Sequence, residues 1–144
     1  MSIELDGSVQ ALGPVRLART VLRQVLQNLI INAAEAILAA GLDRGVVRFA
    51  AVITSESGAD KLLLKCEDTG VGIAAENLER IFERGYSTKR GTGNLGIGLH
   101  WCATAVGALG GRIWAASDGP GRGSTLHLLL PVSIPATERR TEAA

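Results

Sequence analysis

Between residues 17 and 39 apolar side chains return at three- and four-residue intervals. Leu22, Val25, Leu26, Leu29, Ala33 and Ile37 share one arc of a helical wheel, which predicts a long amphipathic helix ended by Gly41. The opposite arc carries Gln24, Asn28, Asn32 and Glu35. Asparagine is a mediocre helix former, so two of them one turn apart in mid-helix call for either solvent or a ligand. Downstream the period drops to two. Residues 46–54 and 61–68 read as strands joined by the polar turn 55–60 into a hairpin. In the second of these, Leu62, Leu64, Cys66 and Asp68 share one face, and Lys61, Leu63, Lys65 and Glu67 the other. Residues 74–82 predict a short helix. Residues 83–95 then lose all periodicity, as functional loops do. A second helix is predicted over 96–109, stopped by Gly110-Gly111, and a final strand pair over 112–117 and 124–130. At the front, residues 8–15 read as a short edge strand with a turn at Gly13-Pro14.

Composition narrows the class without naming a function. A chain of 144 residues with 47% hydrophobic content suits one compact domain. The pattern divides it into a leader over 1–8, a domain over 9–131 and a polar, disordered tail over 132–144. A formal charge of +1 with both signs interspersed leaves no footprint for nucleic acid. No apolar run reaches the ~20 residues of a membrane span, and Glu4 and Asp6 are unlike a signal peptide. Cys66 and Cys102 lack metal-ligand spacing and fit a reducing cytoplasm better than a disulfide.

The candidate chemistry starts at Asp68, which leaves a strand on its core-facing side and enters Thr69-Gly70-Val71-Gly72-Ile73. A buried ionised carboxylate requires donors, and no basic residue stands nearby in sequence. Gly70 and Gly72 leave room for a flat ligand such as a purine, whose exocyclic amine is a suitable donor. The alternative is an Asp capping the turn through backbone N–H groups. Gly91, Gly93 and Gly96 match G-x-G-x-x-G before a helix, but the polar stretch leading into them is not the buried strand of a dinucleotide site. Helix-start glycines of this kind can hold phosphate.

Three separated elements together resemble the ATP-binding domains of bacterial sensor histidine kinases. They are Asn28-Leu-Ile-Ile-Asn32-Ala33; then Asp68-Thr-Gly70-Val-Gly72-Ile73; then Ile81-Phe82 with Ser87-Thr88-Lys89 and Gly96-Ile97-Gly98-Leu99. Gly121-Arg-Gly123-Ser124-Thr125 is similar to the way such domains end. The resemblance, which covers about residues 9–131, implies an α/β fold. It is a two-layer sandwich of a mixed β-sheet with helices on one face, the Bergerat-type ATP-binding fold shared with gyrase, heat-shock protein 90 and mismatch-repair ATPases. It implies ATP and Mg²⁺ as cofactors. Asp68 would meet the adenine amine with Gly70, Gly72 and Ile73 beside the purine, and Asn32 would be the metal ligand. Asn28 would lie near the phosphates. Gly96, Ile97, Gly98 and Leu99 would cradle them, Thr88 and Lys89 would reach in from the lid, and Ser124 or Thr125 would support the adenine. Asn28 and Lys89 are the catalytic candidates. In hydrolysing relatives a Glu that activates water stands at the position of Asn28, and an amide is no such base.

The acceptor histidine is expected on a dimerisation and phosphotransfer domain outside this chain, with a response regulator downstream of the full-length kinase. His100 and His127 are expected to be structural. The fragment is expected to be a cytoplasmic monomer, with membrane anchoring left to the full-length protein. Departures from the family pattern are Glu35 and Ala36, where many relatives have Lys and Tyr, and the short lid with Gly85-Tyr86, similar to nitrogen- and dicarboxylate-sensor kinases. The rival readings are a nucleotide-responsive, anti-sigma-like binding module and, more weakly, a dinucleotide-dependent oxidoreductase.

Overall fold

The computed structural model describes residues 1–41, 43–86 and 98–135. Five strands form one mixed sheet in the order β1-β2-β3-β5-β4, with β1 (Ser2–Leu5), β2 (Val46–Glu56), β3 (Ala59–Asp68), β4 (Arg112–Ala116) and β5 (Ser124–Pro131). β1 runs parallel to β2, and every other pairing is antiparallel. The helices α2 (Arg19–Ala39) and α3 (Gly98–Ala108) cover one face. This is the α/β sandwich that the sequence predicts.

The core lies between these layers. Val25, Leu29, Ala33 and Ile37 of α2 and Cys102 and Val106 of α3 meet Val47, Phe49, Leu64, Cys66, Leu126 and Leu128 of the sheet. The period-two reading of β3 holds to its end, since Leu62, Leu64, Cys66 and Asp68 are all buried. Burial pushes the Cys66 thiol up to about 12, with the nearby Asp68 charge adding to the shift. Cys102 is also raised, chiefly by burial. Both thiols are buried and free.

Three local expectations change. The front strand is not at 8–15, because Asp6 caps a short helix α1 (Gly7–Gln10) by accepting from the Ser8 N–H at 2.8 Å. The strand lies at Ser2–Leu5, inside the stretch read as a leader. Its partner is the distant β2, and Arg48 of that strand pairs with Glu4 at 3.0 Å. The hairpin turn is tighter than its polar composition suggests. Ladder pairing continues to Glu56 and Ala59, leaving only Ser57 and Gly58 at the tip, both at positive φ as a twisted two-residue turn requires. In place of a helix over 74–82 there are two 3₁₀ turns, Ala75–Asn77 and Arg80–Phe82. Within the stretch read as a tail, Ser133 exchanges backbone hydrogen bonds with Arg16. Residues 136–144 lie outside the described ones. Among the described residues no helix is long and apolar enough to cross a membrane.

The uncovered face of the sheet carries a cross-strand stack. The Trp114 and His127 rings lie 5.0 Å apart and 4° from parallel, with the Arg112 guanidinium 4.3 Å from the indole centroid. His127 Nδ1 is buried with no hydrogen-bond partner among the described residues. Burial, and secondarily the Lys65 charge, hold the imidazole below its usual 6.5. The folded state therefore binds this proton less readily than the unfolded chain. The stabilisation is complete above 6.5 and is lost as pH falls through that value toward the depressed one. In urea unfolding at pH 7.5 and 5.5, the parent should lose more stability on acidification than His127→Gln.

The layers meet most closely where α2 touches the turn after β3. The Val71 N–H donates to the Ala36 carbonyl at 3.0 Å. A Cβ on Gly70 would stand 2.6–2.7 Å from the Ala36 carbonyl carbon, carbonyl oxygen and Cβ. The contact is backbone on backbone and cannot yield by rotating a side chain. Gly70→Ala should cost about 1–3 kcal/mol in urea unfolding, the scale for overpacking a closed contact.

Candidate functional site

Asp68 stands at the end of β3 with 4% exposure. Its Oδ1 accepts the Gly70 N–H at 2.8 Å, and its Oδ2 accepts the Ser124 hydroxyl at 2.7 Å. The turn-capping role and the position for a ligand therefore coexist. Each oxygen keeps a second lone pair after its internal bond. The strands dictate which hydroxyl arrives: Ser124 is the register partner of Asp68 and shares its buried face, whereas Thr125 pairs with Glu67 and faces the other way. Of the two candidates only Ser124 reaches the carboxylate.

Residues 69–73 are held on several sides. The Thr69 N–H donates to Val46 O at 3.2 Å, Gly123 N–H to Gly70 O at 3.2 Å, and Gly121 N–H to Val71 O at 2.6 Å. Gly72 has φ +78°, and a Cβ there would collide with the Gly119 carbonyl oxygen. The sequence suggests that these glycines make space for a flat ligand. In the structure the space at Gly70 and Gly72 is taken by the protein's own backbone.

The polar stripe of α2 is not simply a solvated face. Gln24 is exposed, but Asn28, Asn32 and Glu35 are half-buried. The Asn28 amide Nδ2 donates to Cys102 Sγ at 3.5 Å, and a Cβ on Gly98 would sit 3.2 Å from Asn28 Oδ1. Asn28 is thus seated against the first turns of α3. Asn28, Asn32 and Ala36 follow one another at single-turn intervals, each about 6 Å further along the axis. The row is fixed at both ends, at α3 through Asn28 and at the Asp68 turn through Ala36. Asn32 occupies the interval and makes no side-chain hydrogen bond among the described residues.

Gly98 opens α3, and Leu99 packs on the core. Ile73 is half-buried, with its N–H donated to the Ser117 hydroxyl at 3.0 Å. Thr88, Lys89, Gly96 and Ile97 lie outside the described residues. The ends of that segment are tied, since His100 Nδ1 lies 3.2 Å from the Phe82 carbonyl, which can only accept. Tyr86 packs with its ring 5.6 Å from the Arg80 guanidinium. A cleft of about 170 Å³ backs onto Asp68 and Ser124 from the strand-end side, lined also by Ser117, Asp118 and Arg122. Asn28 and Asn32 do not line it, so it is distinct from the interval between α2 and the Asp68 turn.

Sequence reasoning names Ala36 only as a departure from the family pattern and Cys102 only as a free thiol, and it passes over Ser117. The first two resemble ordinary core residues in the chain. Ser117 has a detectable signal, a hydroxyl followed by Asp-Gly at a turn.

A profile of the histidine kinase-, DNA gyrase B- and HSP90-like ATPase family matches residues 18–134. The chain is 33% identical over 132 residues to the sensor protein CitS of Halalkalibacterium halodurans, covering 91% of this chain and 23% of that one. It is 43% identical over 114 residues to the sensor histidine kinase ZraS of Escherichia coli, covering 78% and 22%. It therefore spans less than a quarter of either relative. The crystal structure of full-length ShkA in complex with AMPPNP matches with a TM-score of 0.72 at 25% identity, over 94% of this chain and 27% of that chain. With the profile covering most of the sequence and the same fold in a solved structure, the chain belongs to the histidine kinase-, DNA gyrase B- and HSP90-like ATPase family.

Proposed function

We propose that this chain is the ATP-binding catalytic part of a sensor histidine kinase. It holds ATP with Mg²⁺ and presents the γ-phosphoryl group to a histidine on a dimerisation and phosphotransfer domain outside this chain. A response regulator then acts downstream of the full-length protein. The observation that carries the reading is the Asp68 carboxylate. It is buried, bonded by Gly70 and Ser124, and still able to accept from an adenine amine. A neutral amine donor to such an acceptor makes a charge-assisted hydrogen bond in a low-dielectric site.

The asparagine row supports the phosphate end of the site. Asn32 offers one hard amide oxygen. Among the described residues no group of three His, Cys, Asp or Glu side chains is placed to hold a metal. That donor set fits magnesium, which commonly takes one or two protein oxygens and fills its octahedron with phosphate and water. When bound, the ion offsets phosphate charge and orients the phosphoryl group. Asn28 is an amide, so it cannot take a proton from water at neutral pH, which favours transfer over hydrolysis. Lys89 is assigned to offset γ-phosphate charge from the lid. An acceptor outside this chain is supported by the contacts of its two histidines, His100 with the Phe82 carbonyl and His127 stacked on Trp114.

Titration with ATP and ADP tests the base contact. Asp68→Asn should lose about 1–3 kcal/mol of affinity for both nucleotides. Unchanged binding in a folded variant removes Asp68 from the site.

Magnesium dependence tests the helix row separately. Asn32→Ala should bind metal-free ADP nearly as the parent does, yet lose most of the gain in nucleotide affinity that magnesium gives the parent. Full retention of that gain rejects the metal assignment.

A further inference from the structure

The Ser117 hydroxyl uses its whole hydrogen-bonding capacity in one place. It accepts the Ile73 N–H at 3.0 Å and the Gly119 N–H at 3.2 Å, and donates to the Gly123 carbonyl at 2.7 Å. A serine hydroxyl has one proton and two lone pairs, so all three are committed. Those partners belong to two different loops. Ile73 closes the turn after Asp68, while Gly119 and Gly123 belong to the glycine-rich connection between β4 and β5. Two further bonds, Gly121 N–H to Val71 O and Gly123 N–H to Gly70 O, bind the loops along their length, and Ser124 at the end of the same connection holds Asp68 itself.

We infer that Ser117 is the positioning residue of the adenine end of the site. It latches the 118–123 loop to residues 70–73, so that the donors around Asp68 are already in place when a nucleotide arrives. The inference rests on the proposed ATP site and adds a residue that does not itself touch the base. Half-buried Ser117 bonds the turn at Ile73, and α2 bonds it at Val71 through the Ala36 carbonyl. The Asp68 turn is therefore held by the α2 backbone and, from the β4–β5 side, by the Ser117 hydroxyl together with the Gly121 and Gly123 N–H groups. Without that hydroxyl the Ile73 and Gly119 N–H groups and the Gly123 carbonyl lose their partner, and the turn gains freedom that ligand binding must remove.

The test uses the chain as it stands, with parent, Ser117→Ala, Ser117→Thr and Asp68→Asn titrated with ADP and with ATP, in magnesium, well below their unfolding temperatures. Ser117→Ala should weaken ADP and ATP by the same factor, roughly three- to tenfold, because both share the adenine end. Ser117→Thr keeps the hydroxyl and should restore affinity to about the parental value. A purely structural role predicts a lower unfolding temperature with parental affinity in the folded Ala variant, and that result overturns the inference. So does a threonine variant as weak as alanine. Should the Ala variant not fold, amide exchange in the parent decides. Ile73 and Gly119 should slow together when ADP binds, and slowing confined to residues 68–70 rejects the latch. If the parent binds no nucleotide, the ATP reading fails. If the parent binds, Asp68→Asn does not and Ser117→Ala does, only the latch fails.

Discussion

A carboxylate at 4% exposure cannot stay ionised inside a protein unless donors are built around it, and that requirement organises this structure. Asp68 draws one donor from its own turn and one from β5, where the antiparallel register sets Ser124 beside it. The neighbouring loops are then committed. Residues 69–73 must curl to bring the Gly70 N–H back to the carboxylate, and the β4–β5 connection must close over that curl to bond its remaining backbone groups. A polar group that is costly to bury thereby becomes the point from which two loops take their shape.

The same economy governs the glycines. At Gly70 the missing side chain lets a turn lie directly on the α2 backbone at Ala36, and at Gly72 a positive φ and the Gly119 carbonyl exclude any other residue. These are demands of packing and conformation inside the protein. Close contact with α2 brings the Asp68 turn next to the row of Asn28, Asn32 and Ala36. The Asp68 carboxylate and the asparagine row belong to different segments, and the Val71–Ala36 hydrogen bond joins those segments.

The floor of the site is made of ladder-paired strands and of α2, whose Val25, Leu29, Ala33 and Ile37 are buried. Among the described residues, the His100 imidazole meets the Phe82 carbonyl beside the Arg80–Tyr86 packing. A fixed floor suits recognition of a planar base, which tolerates little displacement. The chain also covers less than a quarter of the sensor proteins it resembles.

Much of this was legible in the chain because periodicity is a local property. The heptad-like spacing from Leu22 to Ile37 determined α2 and its buried arc, and strict alternation through Leu62, Leu64 and Cys66 determined that Asp68 would face inward. The order and spacing of the asparagine and glycine motifs determined the family. Long-range pairing was not legible. The strand Ser2–Leu5 carries too short a pattern to announce itself and exists because it finds β2 more than forty residues away. The choice of Ser124 over Thr125 is a matter of one register step in β5, which only the pairing with β3 decides. Ala36, Cys102 and Ser117 look like ordinary core or turn residues until the fold places them against Gly70, Asn28 and Ile73. Sequence fixes which face of an element each residue occupies, and tertiary structure decides which other element that face meets, because contact depends on distances that no local pattern contains.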